Sequence, residues 1–280
     1  MRVEILGSGG AGVTPRPQCR CAICIRAREH GAPYARTGPS VFVHGPDVLI
    51  DTPEESVSQI DRLDPRRIQA ALYSHFHPDH TQGRRMFDAR NVDWRTWPPD
   101  RREQETTPIY VTEHVAADFR SYIGIWEHLE FMATFAQTVE LHVVPDDEPI
   151  QLDDVTVTPI RLAEREVDAF LFEGDDRRML IAMDELNNWR PPDLGRLDLV
   201  VLPFGIREVD PFTGERLIDA AHPVLAAEAT YADTLEIVRA LDAECVVLTH
   251  FEHDDAPSHD DLVRLGERDG WTPAYDGLVV

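Results

Sequence analysis

Lysine is absent from the 280-residue chain, so all 27 basic residues are arginine. That bias reads as the mark of a GC-rich genome rather than as chemistry. Basic residues are scarce altogether, because 51 acidic residues leave a formal net charge of −24. A surface of that sign repels phosphate backbones and anionic lipid, which argues against a nucleic-acid or membrane-surface role unless a local basic patch offsets the field. It also suits a salt-adapted cytoplasm. No apolar run approaches the ~20 residues that span a bilayer. The stretch Met1-Arg2-Val3-Glu4-Ile5-Leu6-Gly7 reads as a strand entering a glycine turn and lacks the apolar core of a signal peptide. A cytoplasmic protein is the expectation. Repeats, low-complexity tracts and long linkers are also missing, so residues 1–280 are read as one domain, large or built of two closely packed halves. Cysteines number four, and three of them, Cys19, Cys21 and Cys24, crowd into six positions while Cys245 stands alone in an apolar run. That distribution is wrong for a disulfide framework and right for a metal clip in a Cys-rich loop over 13–30.

Strand patterns at 3–6, 40–44, 48–51, 68–73, 109–111, 139–144, 155–160, 169–172, 179–182, 197–202 and 245–248 alternate with helical patterns at 54–63, 81–88, 113–122, 231–241 and 259–267. Gly45-Pro46-Asp47 and Gly174-Asp175-Asp176 have hairpin chemistry, which predicts mixed sheets. Thr230 followed by Asp233 predicts a capping box. The stretch 91–107, interrupted by tryptophan and proline, reads as a surface loop or lid. Six arginines, at 84, 85, 90, 95, 101 and 102, make the stretch from Arg84 to Glu105 faintly positive. A solvated face is preferred there over a patch that steers anions.

The sharpest signal is Ser74-His75-Phe76-His77-Pro78-Asp79-His80. It follows an apolar strand and precedes a helix. Alternate residues leaving a strand project to one side, so His75 and His77 can grip one cation, while the turn at Pro78 swings Asp79 and His80 toward a second. Three imidazoles and a carboxylate in six residues are a poor choice for a core. The cysteine clip can supply three corners of a tetrahedron from one loop. Five arginines against one glutamate between Arg16 and Arg36 would offset its thiolate charge.

The HxHxDH stretch resembles the first metal motif of the metallo-β-lactamase superfamily. The resemblance extends over most of the chain: Asp51 closes a strand like that family's acidic supporting residue, Asp184 falls where its bridging aspartate falls, and His250 ends a strand like its last histidine. It implies a four-layer αββα sandwich with two mixed sheets and a dinuclear centre of Zn, Mn or Fe. His75 and His77 would hold the first metal, Asp79, His80 and His250 the second, with Asp184 between them. Asp79 and Asp51 would also serve catalysis, Asp51 by orienting a ligand or the nucleophilic water. The cysteine clip is similar to that of the PhnP-like branch, which cleaves cyclic phosphates, and of the pyrroloquinoline-quinone protein B branch, both built around a structural zinc. Its fourth ligand would be Glu228 or, failing that, His222.

Two departures from the family pattern stand out. Glu164 occupies the place of the third-motif histidine, which makes the site richer in oxygen and favours manganese or iron over zinc. Pro203-Phe204-Gly205-Ile206-Arg207 replaces a stretch bearing a histidine general acid, leaving Arg207 to neutralise a bound anion. Gly7-Ser8-Gly9-Gly10-Ala11-Gly12 has GxGxxG spacing, but Pro15 and Pro17 forbid the helix a dinucleotide cradle needs. His114, His128, His142 and His253 have no ligand-spaced partners and are read as surface or core residues, although Glu252 and His253 lie close enough behind His250 to reach the mouth of the site.

The expected function is metal-dependent hydrolysis by a hydroxide held between two cations, acting on a small, anionic, conceivably cyclic phosphodiester. The alternatives are a carboxylic ester, lactone or thioester hydrolase, or a carrier protein like the quinone-biosynthesis relatives. A redox di-iron role lacks the flavin domain that accompanies it. Size and surface charge permit a monomer or a homodimer.

Overall fold

A computed structural model describes the chain except residues 94, 96–104, 123, 163–166, 176 and 255–256. Two mixed sheets face each other. The first has six strands in sequential order: β1 (Arg2–Gly7), β2 (Ser40–His44), β3 (Val48–Ile50), β4 (Ala70–Leu72), β5 (Thr107–Thr112) and β6 (Val139–Val144). The second has seven, also sequential: β7 (Ile150–Leu152), β8 (Val155–Arg161), β9 (Asp168–Glu173), β10 (Arg178–Ile181), β11 (Leu199–Pro203), β12 (Val246–Thr249) and β13 (Thr272–Pro273). Each begins as antiparallel hairpins and continues as parallel strands, from β3 in the first and from β10 in the second. Asp47, with φ of 53°, turns the β2–β3 hairpin.

Side-chain alternation explains the layering. In the first sheet Val41, Val43, Val48, Ile50, Ala70 and Leu72 face the second sheet, while Phe42, Leu49, Ala71, Tyr73 and Ile109 face outward onto helical residues such as Ile60, Phe87, Val115 and Phe119. On the far side of the second sheet the helices Tyr231–Ala240 and His259–Asp269 pack through Ile237, Leu262 and Leu265. The result is the αββα sandwich. The capping box at Thr230 and Asp233 is present.

Two helices escape the periodicity argument. Ala22–His30 buries only Cys24 and Ala27, so it carries no apolar stripe. Ile125–Phe131 follows Gly124, a residue with φ of 78°. Most of the expected lid at 91–107 lies outside the described residues. Of the neighbouring arginines, Arg84 is buried and donates to the carbonyls of Thr81 and Gly124, Arg90 pairs with Glu105, and Arg95 pairs with Asp93. Arg84 thus departs from the solvated face that was expected, and Arg101 and Arg102 lie outside the described residues. Among the described residues no helix is long and apolar enough to cross a membrane.

Candidate metal centre

Parallel strands end on the same side, and here their ends carry the chemistry. Asp51 follows β3, the His75 motif follows β4, Asp184 follows β10 and His250 follows β12. The motif leaves β4 extended through His77; Pro78 then opens the short helix Pro78–Thr81 at its first position, where its fixed φ suits a helix and no N–H is missed. The turn is pinned by His80 N donating to His77 O at 3.0 Å and Thr52 N to His80 O at 2.7 Å.

Side chains from three separated stretches converge. Asp184 Oδ2 lies 3.3 Å from His75 Nε2, 3.7 Å from His80 Nε2 and 3.9 Å from His77 Nδ1, and its Oδ1 lies 3.5 Å from His250 Nε2. Asp79 Oδ2 is 3.4 Å from His80 Nε2 and 3.6 Å from His250 Nε2. Charge-assisted hydrogen bonds would close to about 2.7–2.9 Å, whereas ligands about 2.0–2.2 Å from one cation stand roughly 3–3.5 Å from each other. The observed spacing is nearer the second. Two donor triads emerge, His75 with His80 and Asp184, and Asp79 with His80 and His250. His75 Nε2 is buried without a hydrogen-bond partner, aimed into the cluster. A divalent cation is the group this donor set fits.

Electrostatics agree with that fit. Burial, then the charge of His80, push His75 down to about 4, so its imidazole is neutral with a free lone pair at pH 7. Burial opposes ionisation of Asp79 and Asp184, but the surrounding imidazoles outweigh it and hold both carboxyls well below the usual range. Burial likewise opposes charge on His250, yet Asp184 and Asp79 hold it up near 9. Cations and protons therefore compete for this pocket.

Supporting contacts fix the rings. Asp51, buried, takes His80 Nδ1–H at 2.7 Å and accepts from Ser74 N and Oγ at 2.8 and 2.6 Å. Its partner ring must then present Nε2 to the cluster. Asp51→Asn removes that charge and should weaken cation binding by about 10–100-fold, measured by competition with a chelator.

The cysteine clip corrects one expectation. Cys19, Cys21 and Cys24 meet His253, their donor atoms all within 4.8 Å of one another. Neither Glu228 nor His222 joins them. His253 arrives because the chain after β12 runs beside the 8–12 turn: Phe251 N donates to Ser8 O at 3.0 Å and His253 N to Gly12 O at 2.8 Å. Its Nε2 lies 3.6 Å from Cys21 Sγ and its Nδ1 2.8 Å from Asp254 Oδ1. Glu228, following the turn Val224–Ala227, instead faces Glu185 beside the metal cluster, and His222 sits exposed, accepting from Val224 N. His253, read from the sequence as a surface or core residue, is thus the fourth donor, and no local spacing to the cysteines marks it. The Cys21 thiol is pulled down to about 6, first by the Cys24 N–H and then by His253. The expected charge offset by local arginines is partial, since Arg16 pairs with Asp254, Arg26 with Asp260, and Arg36 is buried against Ser8 and Ala274.

A cleft of about 480 Å³ lies over the cluster, its walls including His77, Asp79, Val167, Asp184, Glu185, Glu228, His250 and Glu252. Sequence reading gave no role to Glu185, which burial and then Glu228 push up to about 9. Arg207, expected to neutralise an anion, forms an ion pair with Asp210 at 3.5 Å. Glu164, the expected third-motif ligand, lies outside the described residues.

Comparison with known proteins agrees with this architecture. A solved structure described as a new diphosphatase from the PhnP family matches with a TM-score of 0.71 at 25% identity, covering 100% of this chain and 96% of that one. Zn(2+)-bound PqqB from Methylobacterium extorquens matches at 0.70 and 19% identity, over 100% and 99%, and the short form of human tRNase Z at 0.61 and 17%, over 100% and 98%. An octanoyltransferase of Porphyromonas gingivalis is 28% identical over 171 residues, 58% of this chain, which spans 30% of that protein's length. The family model for the beta-lactamase superfamily domain matches residues 45–251. On that match, with strand ends and donor set arranged as described, the chain belongs to the metallo-β-lactamase superfamily.

Proposed function

We propose that the chain is a metal-dependent hydrolase of a small phosphodiester. The observation that carries this reading is the convergence of His75, Asp79, His80, Asp184 and His250 in two donor triads at one strand-end cluster, with His77 at its edge 3.9 Å from Asp184. His75, His77 and Asp184 would hold one divalent cation, with Glu164 as a further ligand. Asp79, His80 and His250 would hold the other, with Asp184 shared. When bound, such a pair draws a nucleophile from water at neutral pH and stabilises charge building on the phosphoryl oxygens. The chain's own part is preorganisation. Asp51 and Ser74 orient the rings of His80 and His75 before any ligand arrives. Glu228 and Glu252 add negative charge to the cleft wall beyond the ligands, while Glu185 beside them is held protonated at neutral pH. A field of that sign opposes each further negative charge on a substrate, which favours a singly charged diester over a doubly charged monoester. The diphosphatase of the PhnP family, similar over the whole chain, supports phosphorus ester chemistry.

Steady-state hydrolysis of bis(p-nitrophenyl) phosphate by protein loaded with Zn²⁺ or Mn²⁺ tests the reading. Metal-dependent turnover is expected, exceeding that on p-nitrophenyl phosphate, and His77→Ala should reduce it by about 10²-fold or more. Metal confined to the cysteine cluster, with no turnover of diester, would overturn it and favour the carrier role.

A further inference from the structure

His250 presents its two ring nitrogens to different surroundings. Nε2 faces the cluster, 3.4 Å from His80 Nε2, 3.5 Å from Asp184 and 3.6 Å from Asp79. Nδ1 faces away, toward Glu252 Oε1 at 4.0 Å. That carboxylate is anchored at both oxygens, Oε1 accepting from Ala11 N at 2.9 Å and Oε2 from Gly12 N at 2.7 Å. Its anchor is fixed in turn, because Gly10 N donates to Phe251 O at 3.3 Å and His253 N to Gly12 O at 2.8 Å. A Cβ on Gly10 would meet Glu252 Oε1 at 2.2 Å and His250 Nδ1 at 2.7 Å, and one on Gly12 would meet Glu252 Oε2 at 2.6 Å. The imidazole and carboxylate occupy the space a side chain would need. The glycine run whose spacing mimics a dinucleotide cradle thus has a different physical reason.

We propose that Glu252, held by the Ala11 and Gly12 amides, positions the His250 imidazole from behind and commits its Nε2 to the metal centre; the inference rests on reading that cluster as a two-cation site. At 4.0 Å the carboxylate acts through its field and not through a hydrogen bond, favouring the proton on Nδ1 and leaving the Nε2 lone pair to the metal centre. Asp51 supports His80 more closely, through a direct hydrogen bond at 2.7 Å. His250 needs such support because its backbone sits at φ 56°, a left-handed conformation that a side-chain-bearing residue keeps only where its surroundings over-determine it. Glu252 is therefore a positioning residue. It also stands directly before His253, so one short segment serves the metal cluster and the thiolates together.

Glu252→Gln removes the charge and keeps the shape. Equilibrium dialysis of the 280-residue chain against Mn²⁺ and Zn²⁺ reads cation number and affinity, with the thiolate site followed by thiol reactivity and zinc content. The wild type is expected to take two cations besides the thiolate-bound zinc. Glu252→Gln should weaken one of the two by about 10–100-fold, leaving the other and the thiolate zinc unchanged. Gly10→Ala, which pushes the same pair aside, should give the same selective loss. Two cations at wild-type affinity in Glu252→Gln would overturn the inference alone. Loss of the thiolate zinc alongside would overturn it too, marking Glu252 as a strut of the fold. A wild type that takes no cation outside the thiolates would overturn the two-cation reading first, and the inference with it.

Discussion

Asp184→Ala should cost the protein both cations of the cluster and lower diester hydrolysis by about 10³-fold or more, since metal polarisation is worth several kcal/mol and each factor of ten about 1.36 kcal/mol. Asp184 is the carboxylate that reaches all four imidazoles of the cluster. One oxygen faces His75, His77 and His80 at 3.3, 3.9 and 3.7 Å, and the other faces His250 at 3.5 Å. Four imidazoles thus surround one carboxylate, which the charge of His250 and the hydrogen bonds of His75 and His77 keep ionised against the effect of burial. Without it the rings repel one another whenever they are protonated, the His75 triad loses its carboxylate and the second is left with Asp79 alone. His77→Ala is the informative contrast. Half-exposed and at the edge of the cluster, His77 should cost one cation and leave the other. Metal content per chain, measured beside kcat/KM, separates the two variants, and an Asp184→Ala protein that keeps two cations at wild-type affinity would remove the bridging role.

Cys24→Ser should release the thiolate-bound metal and lower the melting temperature by roughly 10 °C, which at ~2–4 °C per kcal/mol for a chain of this size corresponds to a few kcal/mol. The helix Ala22–His30 buries only Cys24 and Ala27, so little apolar burial docks it. What holds it is polar: Cys21 caps its first turn, accepting from Cys24 N at 3.4 Å, while Cys24 Sγ accepts from Arg16 N at 3.3 Å. Where docking rests on a metal, binding free energy is folding free energy. His253→Ala should behave like Cys24→Ser, whereas Glu228→Ala should keep its zinc. Zinc analysis with calorimetry reads both, and the opposite pattern would return the fourth corner to Glu228.

How much of this was legible in advance depends on distance along the chain. The histidine motif could be read at once because its four ligand-type residues lie within six positions and a strand followed by a proline turn dictates where they point. Mixed sheets were legible from two hairpin turns. Asp51, Asp184 and His250 needed a family resemblance, since a single aspartate at a strand end has no local signature. The fourth thiolate partner was misplaced because the choice between Glu228, His222 and His253 turns on which segment runs beside the 8–12 turn, a matter of long-range backbone pairing. Glu185 was passed over because acidic residues are common in a chain with 51 of them, whereas Glu252 was placed at the mouth of the site by its nearness to His250.

Taken alone, the sequence determined the alternation of strands and helices, the mixed sheets and the position of the HxHxDH stretch, because hydrophobic alternation, turn chemistry and short ligand spacing are local properties that survive without knowledge of the rest of the chain. Only the tertiary structure decided which distant carboxylates stand behind which imidazoles, and that His253 rather than Glu228 closes the thiolate cluster. Those outcomes depend on how parallel strand ends and the loops beyond them come into register, and register is set by packing across the whole sandwich.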